Sequence, residues 1–144
     1  MLQIDRNSPS KTTFSQNLAY YSPYALSILR IVAAVLFFEH GTSRLFAWPS
    51  ALPPPGLFSL HWFAGVIELV GGAVLLLGIF SRLAAFIMSG EMAFAYFLSH
   101  APHAVFPILN RGDSAILYCF VFLYLVFAGP GPWSLDALLS RRRT

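Results

Sequence analysis

Apolar positions gather into four blocks along this chain, residues 24–46, 57–80, 83–98 and about 114–128. A helix that crosses a bilayer needs about 20 predominantly apolar residues, with a range of roughly 17–25. The first two blocks satisfy that length directly. The third and fourth satisfy it when their limits are widened to 82–100 and 109–129, which places polar ends at the headgroups. The pattern predicts an all-α fold: a four-helix transmembrane bundle with both termini cytoplasmic.

The interruptions are chemically explicit. Residues 48–56, from Trp48 to Gly56, carry Pro49, Pro53, Pro54 and Pro55. Proline removes a backbone donor and disfavours helix in the residue before it, so this is a stiff connector. Gly78 near a helix end and Ser81 as a candidate cap predict a tight antiparallel hairpin between the second and third spans. Pro102, Pro107 and Asn110-Arg111-Gly112 mark the next connector, and Gly129 to Pro132 end the fourth span. The organisation expected is a polar tail over 1–23, one membrane domain over 24–136 and a basic tail over 137–144.

Composition removes the soluble alternatives. Of 144 residues 57% are hydrophobic and 10% charged, with mean hydropathy +0.66, whereas soluble domains carry about 25% charged residues. Cys119 is the sole cysteine, so neither an internal disulfide nor a CxxC redox pair exists. The net charge of +3 comes from nine scattered basic residues that form no basic face, which argues against a nucleic-acid partner.

Topology is a better use for those charges. Residues 1–23 lack an apolar core and small-residue cleavage site, so the first span is expected to act as an uncleaved anchor. With the termini inside, Arg6, Lys11, Arg82, Arg141, Arg142 and Arg143 are cytoplasmic, while Arg44 and Arg111 are outside. Six against two satisfies the positive-inside rule. Tyr20, Tyr21, Tyr24 and Trp133 then line the inner interface, and Trp48 and Trp62 the outer one.

Charges inside the spans are the chemical candidates. Arg30, Glu39, Glu68 and Glu91 each cost at least about 2.5–3.5 kcal/mol when ionised at mid-bilayer. Glu68 lies twelve residues before Phe80 and Glu91 eleven after it, so the two carboxyls share a depth about 16–18 Å from the turn. Arg30 enters from the same side, and its forked guanidinium suits two carboxylates. The expectation is an intramembrane cluster of Arg30, Glu68 and Glu91, serving either as a structural ion network or as a relay. Gly65, Glu68 and Gly72 share one stripe of the second helix, the small-residue pattern of a close helix interface.

A second, outer polar rim collects Glu39, His40, Arg44, His61, His100, Asn110 and Asp113, with His103 and Arg111 nearby. Three readings stay open: hydrogen bonding at the interface, contact with a quinone headgroup or other small molecule, and metal or haem ligation. No spacing forms a metal motif, because His100 and His103 span a helix end; haem is the least favoured. Cys119 reads as a lipid-facing or packed small apolar residue.

The segments in order resemble the DoxX family of integral membrane proteins. They are His40 to Leu45; Glu68 to Gly72 leading into Leu77 to Ala85; Glu91 with Ala95, Tyr96, Phe97 and His100; Pro107 to Gly112; and Gly129 to Asp136. Together they span Leu29 to Asp136. Arg44 stands where the family usually has lysine, and Asp113 where glutamate is common. The resemblance implies a small four-helix, multi-pass protein of the bacterial or archaeal cytoplasmic (inner) membrane. Family members are linked with membrane oxidoreductase systems, including a thiosulfate to quinone oxidoreductase.

Three functions follow as expectations. The first is an accessory or quinone-facing subunit of a membrane oxidoreductase complex, with no cofactor in the chain itself and the lipid bilayer, oxidoreductase subunits or a homo-oligomer as partners. The second is a small transporter or proton pathway through the buried carboxylates. The third is a non-catalytic membrane scaffold.

Overall fold

The computed structural model describes residues 12–50 and 53–141. Arg6, Lys11, Arg142 and Arg143, used in the topology argument, lie outside the described residues. Among the described residues six α-helices follow one another: α1 (Thr12–Phe46), α2 (Leu60–Leu77), α3 (Ser81–Ala95), α4 (Pro107–Asn110), α5 (Asp113–Ala128) and α6 (Leu135–Arg141). α3 continues as a π-helical turn, Tyr96–His100, so helical backbone runs unbroken from 81 to 100. There are no strands among the described residues.

α1 and α2 are long and apolar enough to cross a membrane, and only 28% and 22% of their most apolar windows are buried by protein. The core helix of a soluble protein would be mostly covered. Here Val32, Val35, Phe63, Val70, Phe86, Phe94, Phe120 and Phe127 point outward instead, an apolar exterior suited to hydrocarbon.

α1 is longer than the apolar block that announced it. It starts at Thr12 and passes through Pro23, well before residue 24. At 1.5 Å per residue its 35 residues reach about 52 Å, against a hydrocarbon core of about 30 Å. Helical hydrogen bonds are satisfied locally, so hydropathy ends before the helix does.

Small residues bring the backbones together. α1 packs chiefly on α2 and α3 on α5, with smaller α2–α3 and α1–α5 interfaces. A Cβ on Gly72 would meet the Phe38 backbone nitrogen at 2.7 Å, and one on Gly65 would meet the Leu45 side chain at 2.9 Å. Gly41 is held equally close to the Leu69 backbone. The expected stripe on α2 is therefore an α1-facing seam, with Gly65, Glu68, Gly72 and Leu75 buried. The core continues through Ala33, Ala34, Phe37, Ala85, Met88 and Phe122. The Ser89 hydroxyl donates to the Cys119 carbonyl at 2.9 Å, which ties α3 to α5.

The α2–α3 hairpin forms as expected, with a different cap. Gly78 (φ 71°) closes α2: its amide donates to the Val74 and Leu75 carbonyls, and that of Ile79 donates to Val74. Ser81 is not the N-cap. Phe80 occupies that position with no side-chain cap of its own, and the capping carboxylate comes from Asp136, 55 residues beyond Ser81. α6 (Leu135–Arg141) runs across residues 136 and 137 as helix.

Candidate functional site

Polar side chains gather at two levels. At the hairpin end, Arg30 is fully buried on α1. Its Nε donates to the Pro130 carbonyl at 2.9 Å, and Nη1 to Leu76 at 2.8 Å and also to Leu75, while Nη2 donates to Trp133. The last carbonyls of a helix have no intrahelical partner and carry partial negative charge. Arg30 thus closes the C-terminus of α2 and pins the 129–134 loop against it. Arg82 does the same for α5, donating to the Val126 carbonyl and to Phe127 at 2.8 Å.

Asp136 completes this end. Its carboxylate accepts from the amides of Phe80 (3.0 Å) and Ser81 (2.9 Å) and from the Ser81 hydroxyl (2.9 Å). Its own amide donates to the Gly78 carbonyl at 2.9 Å. Partial burial alone would raise the Asp136 pKa; the Ser81 and Phe80 hydrogen bonds and the Arg30 charge outweigh it and hold the carboxyl below its ordinary value. Tyr24 and Trp133 meet at the same end with ring centroids 5.7 Å apart and planes tilted by 60°.

The expected cluster of Arg30, Glu68 and Glu91 is therefore corrected. Arg30 reaches the end of α2, whereas Glu68 lies seven residues earlier than Leu75, about 10 Å deeper along the helix. Free carbonyls at the turn compete for the guanidinium and win, because they need no ionised partner to be carried into the bilayer.

Glu68 pairs instead with Arg44, Nη2 to Oε1 at 3.0 Å, with Glu68 1% and Arg44 32% exposed. Arg44 comes from the last turn of α1 and reaches inward from the opposite end. Glu91 on α3 lies within the electrostatic reach of both Arg44 and Glu68. Glu68 Oε2 and Glu91 Oε2 are buried with no hydrogen-bond partner among the described residues.

Between α2 and α3, on the far side of the bundle from the hairpin, lies a cleft of about 460 Å³. Arg44, His61, Glu91 and His100 supply its polar lining, and residues such as Ile67, Met92 and Leu98 its apolar walls. The volume falls in the usual range for small-molecule pockets. His100 Nδ1 sits 3.0 Å from the Asn110 carbonyl and donates to it, which leaves Nε2 as the ring's other hydrogen-bonding atom. Arg44 is a donor only and an ionised Glu91 an acceptor only. The cleft thus offers both kinds of hydrogen bond to a ligand.

The rest of the expected rim divides. His40 lies on the exposed surface near the Glu68 charge, its Nδ1 donating to Leu36 at 2.7 Å and its ring near Tyr118. Asn110 is buried and spent on its own loop, donating to the Ala104 carbonyl at 2.8 Å and accepting from the Gly112 amide at 2.8 Å. Asp113 is exposed in the first turn of α5, where a negative charge complements the helix dipole. Glu39 is exposed and lines no part of the cleft. Among the described residues no group of three His, Cys, Asp or Glu side chains could hold a metal ion.

An all-helical chain with membrane-length helices, an apolar exterior and an ion pair between its helices is a membrane protein of the small helical class. Residues 25–101, more than half the chain, match the family model described as DoxX. A protein of Haemophilus influenzae described only as uncharacterized is 46% identical over 130 residues, covering 83% of this chain and 94% of its own length. An uncharacterized membrane protein of Mycobacterium tuberculosis is 30% identical over 142 residues, 85% of each. The chain belongs to the DoxX family. No solved structure matches it.

Proposed function

We propose that the chain crosses the bacterial cytoplasmic membrane four times with both termini inside, and serves as an accessory, quinone-facing subunit of an oxidoreductase complex. The observation that carries this reading is the α2–α3 cleft, where Arg44, His61, Glu91 and His100 meet apolar walls. A quinone couple alternates between carbonyl oxygens that accept hydrogen bonds and hydroxyls that donate them. Arg44 serves the first form, and the His100 Nε2 and Glu91 serve the second. When bound, the carrier would take up or release reducing equivalents supplied by a partner; this chain's residues would orient its head and keep it at one depth.

Topology supports the four-span arrangement. Arg82 and Arg141 lie toward the hairpin end, and Arg44 and Arg111 toward the other; the basic excess that favours the hairpin inside comes from Arg6, Lys11, Arg142 and Arg143 in the sequence of the two tails. The helical run from 81 to 100 is 20 residues long, enough for a span.

Purification from native membrane, followed by quinone analysis of the eluate, tests the function. Co-purifying quinone is expected from the wild type, falling at least tenfold in Arg44→Leu. An eluate without quinone or oxidoreductase subunits overturns the reading. One observation favours a second reading, a proton pathway: the orphaned Oε2 atoms of Glu68 and Glu91. That reading predicts proton flux in vesicles that Glu91→Gln abolishes.

A further inference from the structure

The cleft does not end at Glu91. A second, almost wholly apolar groove of about 370 Å³ continues along α2 and α3 toward the hairpin, lined by Val70, Gly71, Val74, Leu83 and Met88 among others. Ile67 and Ile87 line both cavities, so the two adjoin. The groove exists because α2 and α3, joined by a tight turn, share a much smaller interface than α1 shares with α2 or α3 with α5. Each of the two hairpin helices leans on its other neighbour, which leaves a seam between them.

We propose that cleft and groove form one track for a single-chain amphiphile, with its hydrogen-bonding head at Arg44, His61 and Glu91 and its tail lying along the seam toward Phe80. Three observations select this occupant. The polar lining is confined to one end, so the ligand has one polar terminus. The head end holds a buried Glu91 Oε2 that lacks a partner among the described residues, and a buried polar atom left unpaired is destabilising; a head hydroxyl donates to it. The seam is one groove rather than two, so it accepts one chain. From Glu91 to Phe80 is eleven residues, about 16 Å, roughly half the hydrocarbon core. A longer tail emerges into lipid near the hairpin.

This inference rests on the quinone-facing reading only for the identity of the head; the track itself stands apart from it. Val70 is 54% exposed on the groove wall, so Val70→Trp obstructs the seam without disturbing the core. The probes are a single-chain alcohol and a two-chain phospholipid, each carrying a nitroxide on its chain, mixed with the purified full-length protein in nanodiscs and read by electron spin resonance. The expected result is a motionally restricted fraction of the single-chain probe at least fivefold larger in the wild type than in Val70→Trp, together with displacement by a decyl-tailed benzoquinone. Loss of restriction in Glu91→Leu, with that variant's own helicity unchanged, supports the head assignment. If the single-chain probe is restricted equally in Val70→Trp, or the phospholipid competes equally well, the track is wrong. If Val70→Trp changes only the oligomer mass by light scattering, the groove is a contact between copies and the proposal falls. If the benzoquinone fails to displace a probe that Val70→Trp does release, the quinone reading fails and the track stands.

Discussion

Arg30 and Arg44 show how two arginines on one helix are put to opposite uses. Among the described residues Arg30 binds four carbonyls and no carboxylate; Arg44 binds a carboxylate buried between helices. Removing Arg30 leaves the carbonyls of Leu75, Leu76, Pro130 and Trp133 without their donor. Arg30→Met is expected to lower stability in detergent by about 3 kcal/mol, and Arg30→Lys to recover only part of it, because an ammonium cannot fork across that set. Arg44→Leu alone strands Glu68 and should cost about 3–5 kcal/mol, whereas Arg44→Leu with Glu68→Leu should be nearly neutral, since a buried pair replaced by well-packed apolar groups loses little. A thermal unfolding series on the three proteins checks both statements. A double variant as unstable as Arg44→Leu would mean the pair contributes far more than its desolvation cost.

The α2–α3 turn is the element in which distant chain matters most. Asp136 caps α3 from outside the hairpin, and Asp136→Ala is expected to cost about 1 kcal/mol, in the range for a lost N-cap. The sign of its pH dependence follows from its lowered pKa. An unfolded aspartate titrates near about 3.9, so the stabilisation is fully present above that value and is lost as pH falls through the lower folded value. Acid unfolding curves of wild type and Asp136→Asn should therefore converge only below about pH 4. Glycines make a matched pair of tests at this scale. Gly72→Ala forces a Cβ to 2.7 Å from the Phe38 backbone nitrogen, while a Cβ at Gly90 meets nothing within 4 Å. The first should cost about 1–3 kcal/mol; the second should be neutral or stabilise by up to about 1 kcal/mol. Comparable melting shifts in the two variants would contradict the α1–α2 seam.

At the scale of the whole molecule, orientation is the prediction of most consequence. In a Cys119→Ser background, Pro54→Cys should react with a membrane-impermeant maleimide in intact spheroplasts, and Ser140→Cys only after permeabilisation. The reverse pattern would place the cleft on the cytoplasmic side and overturn the proposed orientation with both termini inside. Much of the architecture was legible beforehand. The apolar block 114–128 marks the body of α5, but the span widened to 109–129 starts four residues before the helix does at Asp113, because Asn110 to Gly112 end α4 and turn the chain. The start of α1 at Thr12 was not legible, because a polar helix and a polar tail share one composition. The site was half legible. Glu68, Glu91, Arg44, His61 and His100 could each be named, since intramembrane charge and interfacial histidine stand out against apolar surroundings. Their partners could not be assigned, because depth along a helix says nothing about the angle between neighbours.

What the sequence determined alone was the medium and the number of apolar blocks, for those depend on local hydropathy and on where proline and glycine break a helix. It also determined that Glu68 and Glu91 share a depth, because the hairpin turn is short. The tertiary structure decided which charge meets which. Arg30 was drawn to free carbonyls by the way α2 ends against the 129–134 loop, and Arg44 was brought to Glu68 by the glycine seam between α1 and α2. Pairing in a low-dielectric interior depends on distances of a few ångströms between separate helices, and those are set by packing rather than by position along the chain.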